Sequence, residues 1–173
     1  MKYLLTLASL FLFTVYSFAQ KVDYDKKVEE LGIKLAPPAT PTANYVKAVR
    51  TGNLLYLSGH GPSRSDGTSI TGKVGQDMTI EEGYDAARQA GIALLSTMKA
   101  ELGSLNKVKR VVKVLGMVNC TSDFKDQSKV INGCSDLLVE VFGDNGKHAR
   151  SAVGMNALPG NIAVEIEIIV ELK

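Results

Sequence analysis

An arginine and a glutamate near the carboxyl end of the chain have the clearest chemical potential. Arg150 opens one predicted strand and Glu165 lies in the next, with a Leu158-Pro159-Gly160 turn between them. On neighbouring antiparallel strands the two side chains would fall within diagonal reach of each other. A guanidinium holds a planar carboxylate through paired hydrogen bonds, and a carboxylate can orient or deprotonate a water. The pair therefore predicts hydrolysis of a small acid, and the alternative is a structural ion pair between strands.

A second candidate region lies where an early predicted hairpin ends. Tyr45 begins its first strand, and the second strand breaks at Ser58-Gly59-His60. A glycine at a strand end lets a ligand approach the backbone, and a histidine there can act as an acid or a base. The alternative for His60 is a partly exposed histidine in a turn.

Signatures of metals and cofactors are absent from the sequence. The histidines are His60 and His148, and neither forms a cluster with cysteines of the kind that holds zinc. The Gly59-His60-Gly61 segment lacks the third glycine and the lysine of a phosphate-binding loop. No Ser-His-Asp order or nucleophile elbow is present either. We therefore expect no metal and no cofactor.

The elements that position these residues follow from periodicity and capping. The predicted order is ββ-α-β-α-ββ, an α+β fold in which two long helices pack on one face of a mixed sheet. A short helix and a proline-rich lead-in, residues 20–43, precede the domain at 44–173. The predicted strands are 45–49, 54–58, 108–120, 150–155 and 162–172, and the predicted helices are 22–31, 79–102 and 126–142.

The sheet face opposite the helices is expected to be covered by another copy of the chain. In the last strand, one side is apolar and the other mixes Glu165, Glu167 and Ile169. The long strand before it offers Val111, Leu115 and Met117, which are predicted to share one face. Large exposed apolar patches are rare on monomers, so the pattern favours an oligomer.

Residues 1–19 read as a secretory signal peptide. A positive start, Met1-Lys2, leads into an apolar run that ends at Ser17-Phe18-Ala19, which fits the small-x-small rule of a cleavage site. The mature chain would begin at Gln20 and be exported, to the periplasm or outside the cell. No stable membrane insertion is expected after cleavage, and the alternative is an uncleaved N-terminal anchor.

Charge and cysteine content limit the partners and the redox chemistry. The net charge is +2 over 173 residues and no basic stripe is visible, so no nucleic-acid partner is expected. An oxidising compartment would permit a disulfide between Cys120 and Cys134. The alternative is two buried free thiols, which a domain of this size with an adequate core favours.

Several segments together resemble the Rid/YjgF family, also called endoribonuclease L-PSP, over residues 44–172. The resemblance implies a chorismate-mutase-like fold and a homotrimer with ligand sites in clefts between subunits. It implies that Arg150 holds a substrate carboxylate and that Glu165 positions the water that hydrolyses a reactive enamine or imine. Tyr45 and the backbone near Gly59 would line the cleft, with His60 beside them. The segments are Asn44-Tyr45-Val46-Lys47-Ala48-Val49, Gly52-Asn53-Leu54-Leu55-Tyr56-Leu57-Ser58-Gly59, Ala149-Arg150-Ser151, Leu158-Pro159 and Val164-Glu165-Ile166-Glu167.

Departures from the archetypal members leave the reaction open. This chain has Ala152 where they commonly carry cysteine, His60 where they carry glutamine, and Gly154 where they carry an acid. Other segments, such as Asn132-Gly133, resemble one exported bacterial branch. The first hypothesis is an enamine/imine deaminase that releases ammonia and a 2-keto acid. The others are a non-catalytic binder of small carboxylates and an endoribonuclease.

Overall fold

A computed structural model describes residues 22–41 and 43–173 of the chain. The predicted signal peptide, 1–19, lies outside the described residues. Within them, α1 is Tyr24–Glu30, α2 is Ile80–Leu102 and α3 is Gln127–Phe142. The strands are β1 Ala48–Thr51, β2 Leu54–His60, β3 Val108–Asn119, β4 Ala149–Met155 and β5 Val164–Leu172.

The two long helices begin and end at the residues that the sequence indicates. Thr79 caps α2 in a full capping box, in which Glu82 returns a hydrogen bond to the Thr79 N–H. Gly103 ends the same helix in the left-handed conformation, with φ of 75°. Gly143 follows α3, where φ is 60°. These caps set the lengths of the helices that lie over the sheet.

The strands of the described chain form one mixed sheet in the order β1-β2-β5-β3-β4. β5 is antiparallel to both of its neighbours, β2 and β3, whereas β4 runs parallel to β3 at the edge. Helices α2 and α3 cover one face, and the residues between sheet and helices form the core. The predicted α+β architecture, with its helices on one face of a mixed sheet, is confirmed.

The prediction that the last two strands form a hairpin is wrong, because β4 and β5 do not pair. The segment between them contains a 3-10 turn, Pro159–Asn161. It is hydrogen-bonded to the loop that precedes α2. Gly72 N–H donates to the Asn161 carbonyl, and Ala163 N–H donates to the Ile70 carbonyl. The connection passes the end of β3, so β4 and β5 lie on opposite sides of β3 in the sheet.

The side-chain pattern of β3 also departs from simple alternation. Register shifts occur between Val108 and Arg110 and between Val111 and Lys113. Each bulge inserts one extra residue into the strand, so the residues that follow it point to the opposite face from the one that simple alternation predicts. Val111 is consequently buried under the helices, while Leu115 and Met117 lie on the opposite face. The prediction that all three share one face is wrong for Val111.

The short first helix is tied to the rest of the domain through a polar cluster. The Asp25 carboxylate accepts hydrogen bonds from Lys99 Nζ at 2.7 Å, from the Ser104 hydroxyl and from Leu105 N–H. Tyr24 is buried edge-on against Phe142, with ring centroids 4.9 Å apart. The segment before the sheet is therefore docked onto the ends of α2 and α3.

Candidate functional site

Arg150 and Glu165, the two main candidates, lie on opposite faces of the sheet in one chain. Val114 on β3 pairs with Arg150, and Met117 on β3 pairs with Glu165. Val114 is fully buried against the helices, whereas Met117 lies on the other face, and directly paired residues point to the same side. With β3 between them and three residues of offset, their backbones are about 14 Å apart. The predicted contact between adjacent strands is therefore wrong within a single chain.

The carboxylate of Glu165 lies against the backbone of β2 at Gly59. A Cβ at Gly59 would collide with Glu165 Oε1 and come within 2.8 Å of its Cδ. Only glycine leaves room for this approach. Burial, and then the negative charge of Glu167, raise the pKa of the Glu165 carboxyl above its ordinary value. Among residues 22–41 and 43–173, no hydrogen bond or ion pair engages this carboxylate, so it is available as a proton acceptor.

The guanidinium of Arg150 lies under α3, at the free edge of the sheet. Nη1 donates to Asn132 Oδ1 at 2.8 Å and to Ser135 Oγ at 3.0 Å. Both contacts use one nitrogen, and no hydrogen bond within the described chain engages Nη2 or Nε. No described carboxylate forms an ion pair with Arg150. Because a guanidinium binds a carboxylate through two parallel N–H groups, Arg150 has free donors in a suitable arrangement.

Tyr45 lies near the Gly59 end of β2. It precedes β1, and two residues later the Lys47 carbonyl accepts a hydrogen bond from Ser58 N–H. The Ser58 hydroxyl donates to the Val46 carbonyl at 2.6 Å, which holds the segment beside β2. Tyr45 is 53% exposed, so its side chain is accessible to a ligand or a second chain. Its ligand contact stays a prediction.

His60 is placed differently from the other candidates. A register shift between Leu57 and His60 turns the ring toward the helices, where it is buried. Its Nε2 lies 2.8 Å from Thr97 Oγ1 on α2, and its Nδ1 lies 2.7 Å from the Ser58 carbonyl. Burial is the main cause that lowers the pKa of His60. Its ring therefore does not share the face of Glu165, and it resembles a core histidine with satisfied hydrogen bonds.

Asn132 and Ser135, which hold Arg150, were not found by sequence reasoning. They are three residues apart on α3 and share its face toward β4. The sequence carries no specific signal for them, since Asn132 is exposed and α3 also has the polar residues Ser128 and Asp136 one turn away from it. His148 was missed as well: its Nε2 lies 3.1 Å from Ser135 Oγ.

The cysteines are both free and buried. Burial raises the pKa of the Cys134 thiol to about 12, so it stays protonated at neutral pH. No group of three or more metal-binding side chains occurs in the part of the chain that the structure describes. No helix there is long and apolar enough to cross a membrane.

Fold and sequence together define the class. The two-layer α+β domain matches the family described as "YjgF/chorismate mutase-like, putative endoribonuclease" over residues 25–172. The chain belongs to this YjgF/Rid family. It is 46% identical to Protein TCP17 of Trypanosoma cruzi over 84% of this chain and 92% of that protein. It is 33% identical to a 2-iminobutanoate/2-iminopropanoate deaminase of Dermatophagoides farinae over 80% of this chain and 92% of that protein.

A solved structure of a bacterial relative has the same fold. A protein of unknown function from Agrobacterium tumefaciens superimposes with a TM-score of 0.79 and is 42% identical. The match covers 87% of this chain and 94% of that one. The relatives thus include a named deaminase as well as proteins without a stated activity.

Proposed function

We propose that this protein hydrolyses small enamine or imine carboxylates in clefts between copies of the chain. The observation that carries the proposal is the Glu165 carboxylate, partly buried over Gly59 and without a partner in the described chain. Arg150 supplies the complementary group, because its Nη2 and Nε are not used within the described residues. The deaminase named among the relatives supports this substrate class.

The separation of the two residues supports a site shared between chains. One substrate cannot contact Arg150 and Glu165 of the same copy, since they lie on opposite faces about 14 Å apart. A neighbouring copy whose β4 edge approaches the uncovered sheet face would bring its Arg150 to Glu165. That face carries partly exposed apolar side chains, including Tyr56 and Val153. Burial of this patch favours association, and we propose a homotrimer.

The proposed reaction needs two groups from the protein. Arg150 binds the substrate carboxylate through paired hydrogen bonds and places the C=N carbon beside the carboxylate of Glu165. Glu165 accepts a proton from a water whose oxygen attacks that carbon, forming a carbinolamine. Glu165 returns that proton to the nitrogen to complete the carbinolamine. It then transfers the hydroxyl proton to the amine as the C–N bond breaks, and ammonia and a 2-keto acid leave. Burial raises the pKa of the Glu165 carboxyl, which makes this carboxylate a stronger base than an ordinary one.

The first test measures ammonia and 2-keto acid release from freshly generated imino acids. We expect turnover by the mature protein and its loss in Glu165→Gln, with carboxylate binding retained. Arg150→Ala should lose both binding and turnover. Binding of keto acids without turnover in the unaltered protein would instead support a carboxylate-binding protein. Cleavage of RNA by highly purified protein would favour an endoribonuclease, although the net charge of +2 argues against it.

The second test asks whether the site is shared between chains. Arg150→Ala and Glu165→Gln subunits are denatured together and refolded as mixed oligomers. If Arg150 of one copy works with Glu165 of the next, a random 1:1 mixture restores about a quarter of the sites. If both residues act within one copy, the mixture stays inactive. Each variant refolded alone is the control.

We also propose that the mature protein acts outside the cytoplasm. The support is the sequence of residues 1–19, with its positive start, apolar run and small residues before Gln20. N-terminal sequencing of the protein recovered from its own cells should begin at Gln20. Recovery of a chain that still begins at Met1 would contradict cleavage.

A further inference from the structure

Arg150 is connected through one hydroxyl to a histidine that the proposed reaction does not use. Ser135 Oγ lies 3.0 Å from Arg150 Nη1 and 3.1 Å from His148 Nε2. On its other side, His148 Nδ1 lies 2.6 Å from the Gly146 carbonyl oxygen. These four groups form a continuous chain of hydrogen bonds from the 3-10 turn Gly143–Gly146 to Arg150 at the sheet edge.

The direction of each hydrogen bond follows from what each group can donate. The Gly146 carbonyl can only accept, so the His148 proton is on Nδ1. Nε2 of the neutral ring is then an acceptor, and the Ser135 hydroxyl donates to it. The lone pairs of Ser135 Oγ are thereby directed to Arg150, which donates from Nη1. The neutral histidine thus aligns the hydroxyl that holds the guanidinium.

Protonation of His148 would reverse one of these bonds. Nε2 would become a donor to Ser135 Oγ, and the hydroxyl hydrogen would have to find another acceptor. The imidazolium would also place a second positive charge one hydroxyl away from the guanidinium. Both effects weaken the hold of Ser135 on Arg150, although Asn132 Oδ1 remains as an acceptor for Nη1.

The surroundings of His148 favour its neutral form. Burial is the main cause that holds the pKa of the His148 ring below its ordinary value; the hydrogen bond to the Gly146 carbonyl opposes it, and the charge of Arg150 adds to it. On α3, the adjacent thiol of Cys134 is neutral because burial raises its pKa to about 12. Other charged groups of the surrounding elements have partners of their own: Asp136 with Tyr84, Glu140 with Arg88, Asp144 with Lys147, and Lys113 with Ser151 on the opposite sheet face.

We propose that Ser135 and His148 are positioning residues for Arg150, and that neutral His148 keeps the guanidinium ready for a ligand carboxylate. The proposal rests on the proposed role of Arg150 as the carboxylate anchor. It adds that carboxylate affinity falls as His148 takes up a proton, because the displaced guanidinium has to be ordered again on binding. The positive charge of protonated His148 attracts the ligand only weakly, because Ser135 lies between His148 and Arg150.

The test measures the dissociation constant of pyruvate by calorimetry at pH 8 and pH 5. The ligand stays ionised over this range, since carboxyl groups ionise near pH 4 or below. We expect the unaltered protein to bind about fivefold more weakly at pH 5, and Ser135→Ala to bind about five- to tenfold more weakly at pH 8. Ser135→Thr, which keeps the hydroxyl, should recover most of that loss. His148→Gln keeps an acceptor for Ser135 but cannot titrate, so its ratio of affinities at the two pH values should be closer to one.

Matched variants separate the possible failures. Tyr84→Phe removes another hydrogen bond to α3, from Tyr84 to Asp136, and should leave the pyruvate affinity and its pH ratio unchanged. If Arg150→Ala binds pyruvate normally, the proposed anchor itself fails. If Arg150→Ala abolishes binding while Ser135→Ala or His148→Gln behaves like the unaltered protein, only the positioning role is refuted. An affinity that rises at pH 5 in the unaltered protein and in His148→Gln alike would refute it too, since the proposal requires a fall in affinity that depends on His148.

Discussion

Replacement of Gly59 by alanine tests directly how the fold places the Glu165 carboxylate. A Cβ there would come within 2.8 Å of Glu165 Cδ and 2.9 Å of Cγ. Carbon atoms in contact prefer roughly 3.5–4.0 Å, so the carboxylate has to move by about 1 Å. Because a flexible side chain can give way, we expect the free energy of unfolding to fall by about 1 kcal/mol, at the low end for overpacking. A displacement of about 1 Å should lower the proposed hydrolysis about a hundredfold.

A double-mutant cycle gives the decisive measurement. In a Glu165→Ala background the atoms that the new methyl would meet are gone, so Gly59→Ala should cost almost nothing in urea denaturation. Gly61→Ala is the matched control, because its Cβ would meet only the flexible Ile162 side chain nearby. It should leave hydrolysis nearly unchanged. If Gly59→Ala destabilises the protein equally in both backgrounds, its cost comes from the backbone, and the packing argument for Glu165 is refuted.

Three further predictions concern charge and burial. Glu165→Gln should raise the free energy of unfolding at pH 7, because folding raises the pKa of this carboxyl, and the gain should vanish in denaturation below about pH 4. Asp25→Ala should lower the free energy of unfolding by about 2 kcal/mol at pH 7, because hydrogen bonds to a charged carboxylate are lost. Burial opposes ionisation of Asp25, but bonds from Lys99 and Ser104 outweigh it and lower its pKa, so this difference should persist to about pH 4 and disappear below it. Iodoacetamide should label Cys134 in urea but not in the native protein, and rapid native labelling detected by mass spectrometry would contradict its burial.

Local signals predicted most of the helices from the sequence. Thr79 with Glu82, and Gly103, form contacts within a few residues of chain, so the sequence alone contains the information that places α2. The first strand was predicted at 45–49 but lies at Ala48–Thr51. Tyr45 and Val46 have the composition of a strand, but they form no backbone ladder. Tyr45 N–H donates to the nearby Ala43 carbonyl, and the Val46 carbonyl accepts from the side chain of Ser58.

Non-local pairing accounts for the main error. A short turn between two apolar runs is typical of a hairpin, and nothing local distinguishes a hairpin from a connection that passes another strand. The distinction depends on Ile70 and Gly72, about ninety residues away, which bind the connection through backbone hydrogen bonds. Register shifts in β3 are set in the same way by β5 and moved Val111 to the other face.

The error about the strands changes the argument for function. As neighbours on a hairpin, Arg150 and Glu165 would neutralise each other, and a structural ion pair would be the simplest explanation of both charges. On opposite faces, with β3 between them, neither can satisfy the other, and each retains unused hydrogen-bonding capacity in the described chain. Two partly buried charges that have no opposite charge beside them in the described chain are costly unless something else binds them. In the proposed cleft, a ligand carboxylate would pair with Arg150 and a second copy of the chain would bring that arginine to Glu165, so assembly and ligand binding would be linked.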